Sequence, residues 1–460
     1  MAHHTYVEQL SPLDLLMPRT YIRVLLAFET TIPTPELTQS LQSGLDKLST
    51  QLPWLSGRVF PTTSIQHKAS VEIRSNAGHT PTLVDKGSIA APYTTLSSHG
   101  MSMEAIPSEI WPVPSMVDDG ISETGAPVFA ASLFGFADQG VGLCVCLHHH
   151  AVDATGLSEV VELWARNVAE TGFEFSGSHQ TRLERLSKAL SPALEDISSL
   201  SSESLLALHP EYSKVPPTMP KEFAPSTSKL FAIPVDRINA LKETLREYTS
   251  NAPTTNVLLC ALIWTTITRV RANRNPGLAS ETSRLVTAVN GRQRISETFS
   301  VPENPYFGNA VLYSLTNLAV GALATTDEDA MRSLAGVCDY ISASQSPSKI
   351  GSRQIAEVYG LADRMQDYRS LFVGWDLFGS RDLTITSWAD LDVYAMDFGA
   401  MLGKPKLVRF PYMEADGVAI ILPRQRNLSE EMLEIMVMLR RDDMGALEHD
   451  SVWQTLVSSN

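Results

Sequence analysis

The sequence has few cysteines, no clustered basic charge and no long hydrophobic run. Its four cysteines (Cys144, Cys146, Cys260 and Cys338) lie in apolar stretches, and their spacing fits neither a disulfide framework nor a zinc site. Free thiols in a reducing compartment are therefore expected. With 36 Lys and Arg against 51 Asp and Glu the net charge is −15, and no run of basic residues occurs. Since nucleic acids and anionic membranes bind to basic surfaces, neither is an expected partner.

Targeting signals are also missing. The first ten residues, MAHHTYVEQL, lack the basic start and the apolar run of a secretory signal peptide. No stretch reaches the roughly 18 apolar residues that a membrane-spanning helix needs. We therefore expect a cytoplasmic protein without a membrane partner.

The chain alternates between strand and helix patterns. Residues 141–149, VGLCVCLHH, are continuously apolar up to the histidines, which predicts a strand buried on both faces. Residues 157–170 then carry apolar side chains at helical spacing. Further helices are predicted over 35–52 and 255–272, and further strands over 21–30 and within 284–295, 310–320 and 382–388.

Residues 181–228 differ from their surroundings. They include SSLSSES, VPPTMP and FAPSTS, which are rich in Ser and Pro, although 181–194 has a helical pattern. We predict that this segment connects a first domain, residues 1–180, to a second domain, residues 229–460. A chain of 460 residues with 43% hydrophobic content is sufficient for two cores.

The most conspicuous polar cluster is LHHHAVDATG, residues 147–156, which indicates a strand end, a short turn and a helix start. Side chains alternate sides in an extended chain, so consecutive histidines cannot converge on one ion, and we predict no metal site. A structural interpretation has solvated histidines at the strand end and Asp153 or Thr155 as helix cap. A chemical interpretation has a neutral imidazole, with a pKa near 6.5, as general base.

No GxSxG serine elbow or other nucleophile motif accompanies these histidines. A histidine base without a protein nucleophile favours direct attack by an acceptor substrate over a covalent enzyme intermediate. Asp153, four residues after His149, is suited to supporting the loop rather than to proton transfer.

Several blocks of this sequence resemble those of the BAHD acyltransferases. Residues 149–153, HHAVD, match the family's HxxxD motif, and with His148 they resemble the HHxxxDG signature of the wider superfamily of chloramphenicol acetyltransferase and peptide-synthetase condensation domains. Residues 384–408, TITSWADLDVYAMDFGAMLGKPKLV, resemble its SW…DFGWGKP block. AVNGRQRI and NPYFGNAV resemble VNxRxR…YxGN, residues 255–264 resemble the T…AxxW helix, and LSPLDLLMP and LPWLSGRVF resemble the opening region. The likeness runs in order from about residue 6 to 425.

Two positions depart from the family pattern. Ala154 stands where the family usually has Gly, and residues 397–401 read DFGAM in place of DFGWG, although GKP at 403–405 restores the ending. This divergence resembles fungal members of the family. A kinase interpretation of DFG also needs a Gly-rich loop, a β3 lysine and an HRD loop, and the sequence contains none of them.

The resemblance implies an α/β fold of two similar-sized domains, each a mixed sheet flanked by helices, with a channel between them. A stretch near 397–425 is expected to return to the first domain. Acyl-CoA would enter as co-substrate, with no bound cofactor, and the acceptor would be a hydroxyl, or as second choice an amine, of a hydrophobic secondary metabolite. His149 would take the acceptor's proton and return it to the CoA thiolate. A monomer is expected.

The resemblance also implies roles for other residues. Trp388 and Thr386 are candidate donors to the oxyanion, with a core tryptophan as the other interpretation of Trp388. Asp153 is expected to support the loop by pairing with Arg292, or with Arg294 as second choice. The remaining candidates are Asp397 and Gly399, expected to shape a turn, and Lys404 and Arg409, expected to meet the phosphates of CoA.

Two alternatives stay open. A condensation-type enzyme with the same fold would take its acyl group from an acyl carrier protein. A non-catalytic member would keep the fold as a binding module, although the retained His149 argues against it.

Overall fold

Strands and helices alternate along most of the chain, as the residue pattern predicts. The computed structural model describes residues 6–63, 67–76, 78–177, 180–249, 251–325, 330–426 and 428–457, so that the first five residues of MAHHTYVEQL lie outside the described residues. The strands are β1 (Tyr6–Gln9), β2 (Tyr21–Phe28), β3 (Arg58–Thr63), β4 (Ala69–Ser75), β5 (Leu83–Ser88), β6 (Ala126–Pro127), β7 (Phe129–Gly135), β8 (Val141–His148), β9 (Tyr212–Ser213), β10 (Ser226–Pro234), β11 (Thr282–Asn290), β12 (Val311–Ala319), β13 (Phe372–Val373), β14 (Leu383–Ser387), β15 (Leu407–Arg409), β16 (Val418–Ile421) and β17 (Met432–Arg440).

The α-helices lie between and after these strands along the chain. They are α1 (Pro12–Leu15), α2 (Thr34–Gln51), α3 (Tyr93–Ser98), α4 (Asp119–Thr124), α5 (Ala154–Ala169), α6 (Arg182–Asp196), α7 (Ser202–Leu208), α8 (Val235–Leu245), α9 (Thr255–Arg274), α10 (Arg292–Ile295), α11 (Val320–Leu323), α12 (Ala330–Ser344), α13 (Ser352–Arg364), α14 (Arg441–Glu448) and α15 (Ser451–Leu456). Each predicted strand and helix has a counterpart within a few residues of its expected bounds. None of the helices in the described ranges is long and apolar enough to cross a membrane.

The first half is organised around a sheet with the strand order β15-β2-β8-β7-β5. Strand β8 is buried along its whole length and pairs antiparallel with β2, so that Tyr21 lies opposite His148. Successive side chains of β8 face opposite sides: Leu143 and Val145 join the core under α2 and α5, while Cys144 and Cys146 join a second core. The prediction of a strand buried on both faces is confirmed.

The second half contains a sheet with the order β10-β17-β16-β14-β11-β12. Helix α9 lies against one face of this sheet, and its buried residues share a core with those of β14, β16 and β17. Other side chains of β16 and β17, such as Ile420 and Met436, belong instead to the core of the first half. One face of this sheet therefore points toward the first half, and the seam between the halves runs along it.

The connecting segment is more ordered than its Ser and Pro content indicates. Helix α6 begins in a capping box of Thr181 and Glu184, and α6 and α7 pack on α13 through buried leucines such as Leu186 and Leu205. The predicted helical pattern in 181–194 is confirmed. Strand β10 begins at residue 226, slightly before the expected boundary.

Chain topology ties the two halves together. Strand β15 leaves the second half and pairs antiparallel with β2, so that Leu407 lies opposite Ala27. In the stretch near 397–425, this short strand pairs with the first-half sheet, whereas β16 lies in the second sheet.

Candidate active site

The histidine cluster forms a tight turn between β8 and α5. The His149 N–H donates at 2.9 Å to the carbonyl of Thr20, the residue before β2, and the Ala151 N–H donates back to the His148 carbonyl at 2.8 Å. Asp153 then caps α5, its Oδ1 accepting the Gly156 N–H at 2.9 Å. The strand end, the turn and the capping role of Asp153 follow the sequence prediction.

His148 and His150, which flank His149 in the sequence, are buried. The His150 N–H donates to His148 Nδ1 at 3.1 Å, and His150 Nε2 donates to the Met17 carbonyl at 2.9 Å. Both residues are 2% exposed rather than solvated, which corrects the structural interpretation. Burial, followed by the neighbouring histidines, lowers the pKa of His148, and burial lowers the pKa of His150 to about 4. Both rings are therefore neutral at pH 7 and serve the turn.

His149 has a different environment. The residue keeps a partly exposed surface, while its Nδ1 is buried. Burial lowers the pKa of His149, and the nearby carbonyl of His149 itself, the Asp153 carboxylate and the Val152 carbonyl oppose this shift. Since the neutral form can accept a proton, the ring is suited to act as a base at physiological pH.

Asp153 and Arg292 form a two-bond ion pair across the seam. Arg292 Nη1 lies 2.9 Å from Asp153 Oδ2, and Nη2 lies 2.8 Å from Oδ1. Both residues are almost completely buried. Arg292 also donates to the carbonyls of Tyr306 and Gly308, each at 2.9 Å. The pairing that the resemblance implies is present, and it joins the turn of the first half to the start of α10 in the second.

Arg294, the second choice for this pairing, lies elsewhere. Its guanidinium donates to the carbonyls of Ile350 and Gln345 at 2.8 and 2.9 Å. It therefore ties α10 to the chain before α13 and does not reach Asp153.

The start of α5 requires glycine at position 156. A Cβ at Gly156 would lie 2.1 Å from the Phe307 carbonyl, so the close approach between the halves needs glycine at 156. Ala154 is the first residue of the helix and is only half-buried. The place where a side chain cannot fit is thus two residues later than the family's usual glycine.

Sequence reasoning missed Asn309 and Asp14. Asn309 Nδ2 donates to Asp14 Oδ1 and to the His149 carbonyl, both at 2.8 Å, and its main-chain N–H also donates to Asp14 Oδ1 at 2.8 Å. The other Asp14 oxygen accepts from the Ser11 N–H and hydroxyl at 2.8 and 2.7 Å. Burial raises the pKa of Asp14, with Arg182 the largest opposing influence. The available signal was that both residues lie in segments with the family likeness, LSPLDLLMP and NPYFGNAV.

Arg182 is a further buried contact to the turn. It donates from Nε to Glu8 Oε1 at 3.0 Å and from Nη2 to Oε2 at 3.2 Å, and its Nη1 donates to the Ala151 carbonyl. Arg182 is the first residue of α6 and follows the predicted boundary at 180. It therefore helps to hold the histidine turn in place.

The candidate oxyanion donors lie on and just after β14. Thr386 is half-buried and pairs with Ile420, whereas Trp388 is 4% exposed and packs edge-on against Phe410, their ring centroids 4.8 Å apart. Trp388 is thus a core tryptophan in contact with the first-half core. Its role and that of Thr386 as oxyanion donors stay predictions.

The DFGAM block forms a turn of its own. Gly399 has a φ of +80°, a region that favours glycine, and its N–H donates to Asp397 Oδ1 at 2.9 Å. A Cβ at Gly399 would lie 3.0 Å from the Cα of Ala169 at the end of α5. The neighbouring Phe398 is buried against Trp164 of α5. The structure thus places Asp397 and Gly399 in a turn, as the resemblance implies, and shows in addition that this turn packs on α5.

The two candidate cations differ in their surroundings. Lys404 is exposed near the end of this turn. Arg409 is 2% exposed, and its guanidinium makes two bonds to Glu434, at 2.9 and 2.8 Å. Because Arg409 is already paired, the structure favours a structural role for it, and the contact of either residue with CoA stays a prediction.

Two cavities lie along the seam. One of about 670 Å³ is bounded by residues 99–104 of the first half, by Arg409 and by Met436 of β17. The other, of about 680 Å³, is bounded by Trp54, Arg182 and residues 304–308. His149 lines neither cavity, and the second is lined by Arg182, which donates to the Ala151 carbonyl of the histidine turn, and by Gly308, the neighbour of Asn309.

Comparison with protein families gives two matches. The model described as the Transferase family matches residues 113–452, and that of the trichothecene 3-O-acetyltransferase-like N-terminal domain matches residues 20–167. Trichothecene 8-O-acetyltransferase of Fusarium sporotrichioides is 27% identical, and the match covers 96% of each chain. The O-acetyltransferase ptmV of Penicillium ochrochloron is 26% identical over 96% of this chain and 95% of its own.

Solved structures share the fold. F. graminearum TRI101, complexed with coenzyme A and deoxynivalenol, has a TM-score of 0.83 over 99% of both chains at 18% identity. Vinorine synthase has a TM-score of 0.66 over all of this chain and 96% of its own, at 17% identity. These likenesses support the expected α/β fold of two parts with mixed sheets and helices.

Proposed function

Because the chain belongs to the Transferase family and is an acyltransferase of the fungal BAHD type, we propose that it moves an acyl group from a coenzyme A thioester to a hydroxyl of a hydrophobic secondary metabolite. Acetyl is the favoured acyl group, since the two relatives described above are named O-acetyltransferases. The neighbouring TRI101 structure holds coenzyme A together with deoxynivalenol, which supports a CoA donor and a hydrophobic alcohol as acceptor.

The observation that carries this proposal is the placement of His149. A neutral, partly exposed imidazole lies at the seam between the halves, in a turn fixed by Asp153 and Arg292 on one side and by Asn309 on the other. A ring held in this way can contribute both proton transfer and positioning, each of which is worth several powers of ten in rate.

In this reaction His149 takes up one proton and later releases it. As the acceptor oxygen attacks the thioester carbonyl carbon, its proton passes to His149 and the carbonyl π electrons move to oxygen. The resulting tetrahedral oxyanion collapses, the carbon–sulfur bond breaks, and the departing sulfur takes the proton from His149. The products are an ester and free CoA, and the enzyme returns to its starting state.

The oxyanion needs a donor aimed at it while it exists. We assign this role to Thr386 or Trp388, since Thr386 lies on β14 and Trp388 comes directly after it, and β14 is a strand of the second-half sheet at the seam. Lys404 is the remaining candidate for a CoA phosphate, because Arg409 is engaged by Glu434.

A thiol-release assay tests the proposal. Purified enzyme is given acetyl-CoA and longer acyl-CoA thioesters, with deoxynivalenol and other hydrophobic alcohols as acceptors, and the ester is identified by mass spectrometry. We expect acceptor-dependent CoA release that is lost in His149→Gln. Equal rates in wild type and His149→Gln would overturn the role of His149. Transfer only from an acyl carrier protein would overturn the CoA donor, and no transfer from any donor would favour a binding module.

A further inference from the structure

One of the two cavities along the seam, of about 680 Å³, is lined neither by His149 nor by a candidate oxyanion donor. Its volume lies within the roughly 300–1,000 Å³ of small-molecule sites. Its wall includes Trp54 of the first half, Arg182 and Arg185 at the start of α6, and residues 304–308 of the second half. A molecule in this cavity would therefore contact both halves and the segment that connects them.

Three aromatic side chains, Trp54, Phe175 and Phe307, line this cavity. The ring centroid of Phe307 lies 5.6 Å from that of Trp54 and 6.2 Å from that of Phe175. Phe175 and Phe307 are only half-buried, so both rings retain surface for a ligand. Because aromatic pairs gain free energy beyond the burial of their area, such a wall favours a ligand with a planar ring system.

Arg185 gives the cavity a positive charge that no described residue neutralises. The neighbouring Arg182 is paired with Glu8, its Nε lying 3.0 Å from Oε1. Among the residues that the structure describes, no carboxylate forms an ion pair with Arg185, and Glu174, the other carboxylate of the wall, is exposed. Burial lowers the pKa of Arg185, as it does for a cation removed from water. A bound anion would offset the cost of burying this charge.

The guanidinium of Arg185 is held in place and keeps N–H groups for a ligand. Its Nη1 and Nη2 donate to the carbonyls of Pro305 and Asn304 at 2.7 and 2.8 Å, and its central carbon lies 5.2 Å from the Phe299 ring centroid. A guanidinium has five N–H groups, so these two bonds leave three that no described residue accepts. A carboxylate matches the planar geometry of the guanidinium, since it can accept two parallel hydrogen bonds from it.

We propose that this cavity is a second binding site, separate from the reaction centre, and that it takes an aromatic carboxylate. The carboxylate accepts hydrogen bonds from Arg185, and the ring system packs against Trp54, Phe175 and Phe307. One negative charge on a flat apolar body matches a wall with three aromatic rings and one uncompensated cation. The inference does not depend on acyl transfer, because binding can be measured without it.

The cavity also borders two supports of the histidine turn. Arg182 donates to the Ala151 carbonyl, and Arg292 donates to the carbonyl of Gly308 in the wall. A ligand that contacts Arg182 and residues 304–308 therefore strengthens the contact between the halves. Since such a ligand binds only the folded chain, the thermal midpoint should rise with its concentration.

The first experiment compares two probes that differ in charge. The full chain is titrated at pH 7.5 with 2-naphthoate and with 2-naphthalenemethanol, which has the same rings without the charge, and binding is followed by ligand-detected NMR. We expect a Kd of about 0.1–1 mM for the acid, the range for a ligand of this size, and binding of the alcohol weaker by about tenfold or more. Failure of the acid to bind or to raise the thermal midpoint would overturn the site. Equal binding of both probes would overturn the part of Arg185.

The second experiment changes the cation and uses a matched control. Arg185→Gln should weaken the binding of 2-naphthoate by about tenfold or more, the usual contribution of a charged hydrogen bond, and should leave the binding of the alcohol unchanged. Arg166→Gln is the control, since Arg166 lies on α5, its guanidinium is 4.0 Å from the Phe173 ring centroid, and it does not line the cavity. This variant should keep the wild-type Kd for both probes.

The outcomes separate binding from folding and from catalysis. An unchanged Kd in folded Arg185→Gln, or an equal weakening in Arg166→Gln, would overturn the inference. If Arg185→Gln does not fold, Arg185→Lys, which keeps the charge but loses the planar fork, must bind the acid more weakly than the wild type does. Saturating acetyl-CoA should not displace 2-naphthoate, and displacement would place the cavity on the path of CoA and overturn a separate site. If the wild type transfers no acyl group, the proposed function fails, while these titrations still decide the binding site.

Discussion

The histidine turn, residues 148–153, and the DFGAM turn, residues 397–401, both bind the two halves together, but through different physical forces. The first is held by charge and hydrogen bonds: an ion pair between Asp153 and Arg292, and an amide of Asn309 on the His149 carbonyl. The second is held by packing, with Gly399 close to the main chain of α5 and Phe398 against Trp164.

The difference shows which contacts serve chemistry. Polar contacts depend strongly on direction, so they can fix one ring to within the tolerance that proton transfer requires. Packing fixes the approach of whole elements and tolerates change if volume is kept. We therefore expect damage to the histidine turn to lower kcat, whether or not it also lowers stability, and damage to the DFGAM turn to lower stability alone.

The sharpest test removes the ring itself. His149→Gln should lower kcat/KM for acyl transfer by about 10²-fold to 10⁴-fold, the usual contribution of a general base. The thermal midpoint should change little, because His149 makes no well-formed side-chain hydrogen bond to the described residues at Nδ1. Steady-state kinetics and a melting curve measure both. If His149→Gln loses its fold along with its activity, the prediction that this ring serves chemistry and not stability is wrong.

The next largest effect is expected from the ion pair. Asp153→Ala leaves the Arg292 guanidinium buried without its charged partner, which costs about 3–5 kcal/mol in unfolding free energy, and it should also lower kcat of the folded fraction. Asp443→Ala is the matched control, since Asp443 is 1% exposed and pairs with Arg274 in the second half. Urea unfolding should show a comparable loss in both variants, while only Asp153→Ala changes kcat. A lower kcat in both variants would show that loss of any buried ion pair impairs catalysis, and would contradict a specific role for Asp153.

A smaller effect is expected at the DFGAM turn. Gly399→Ala forces a non-glycine residue to a φ of +80° and places its Cβ 3.0 Å from the Ala169 Cα, at a cost of about 1–3 kcal/mol. Gly403→Ala has a similar φ of +66° but no atom within 4 Å of the added Cβ, so the difference between the two variants measures the packing. Denaturation gives both values. We expect kcat per folded molecule to stay at the wild-type value, and a loss of kcat in Gly399→Ala would give this turn a part in the chemistry.

The smallest expected effect lies in the pH dependence. Because burial lowers the pKa of His149, the base stays neutral as the pH falls through 6.5, and kcat/KM should decline only at lower pH. An acid limb above pH 6.5 would exclude His149 as its source.

The stability of the protein should also depend on pH, because of the imidazole of His150. His150 has a pKa of about 4 in the folded protein, below the ordinary 6.5, so between these values the unfolded chain binds a proton that the folded chain does not. Stability should therefore fall as the pH drops from 6.5 to 4, and His150→Gln should reduce this slope. An unchanged slope in the variant would assign the effect to other groups.

Local pattern predicts much of this fold. The apolar run before His148 gives β8, the leucines of 35–52 give α2, and the helix after Asp153 begins where its cap predicts. These elements are predictable because their buried faces repeat at strand or helix spacing within a short stretch. The Asp153–Arg292 pair followed from the family likeness, since 139 positions separate the two residues.

The parts that could not be predicted depend on contacts between distant segments. Asn309 and Asp14 are 295 positions apart, and each looks like an ordinary polar residue until the fold brings Asn309 into hydrogen bonds with both Asp14 and the His149 carbonyl. Arg409 was expected to meet phosphate, but its partner Glu434 lies on another strand and satisfies it. A charged residue in a sequence does not show whether the fold supplies its counter-ion.

The return of β15 to the first sheet has a consequence for biosynthesis. Until residues 407–409 leave the ribosome, β2 has a free edge, although the other strands of its sheet were made long before. That edge, YIRVLLAF, is mostly apolar, and exposed apolar edges recruit other chains. The nascent first half therefore passes through a period in which aggregation competes with completion, and slower translation of the second half should lower the soluble yield.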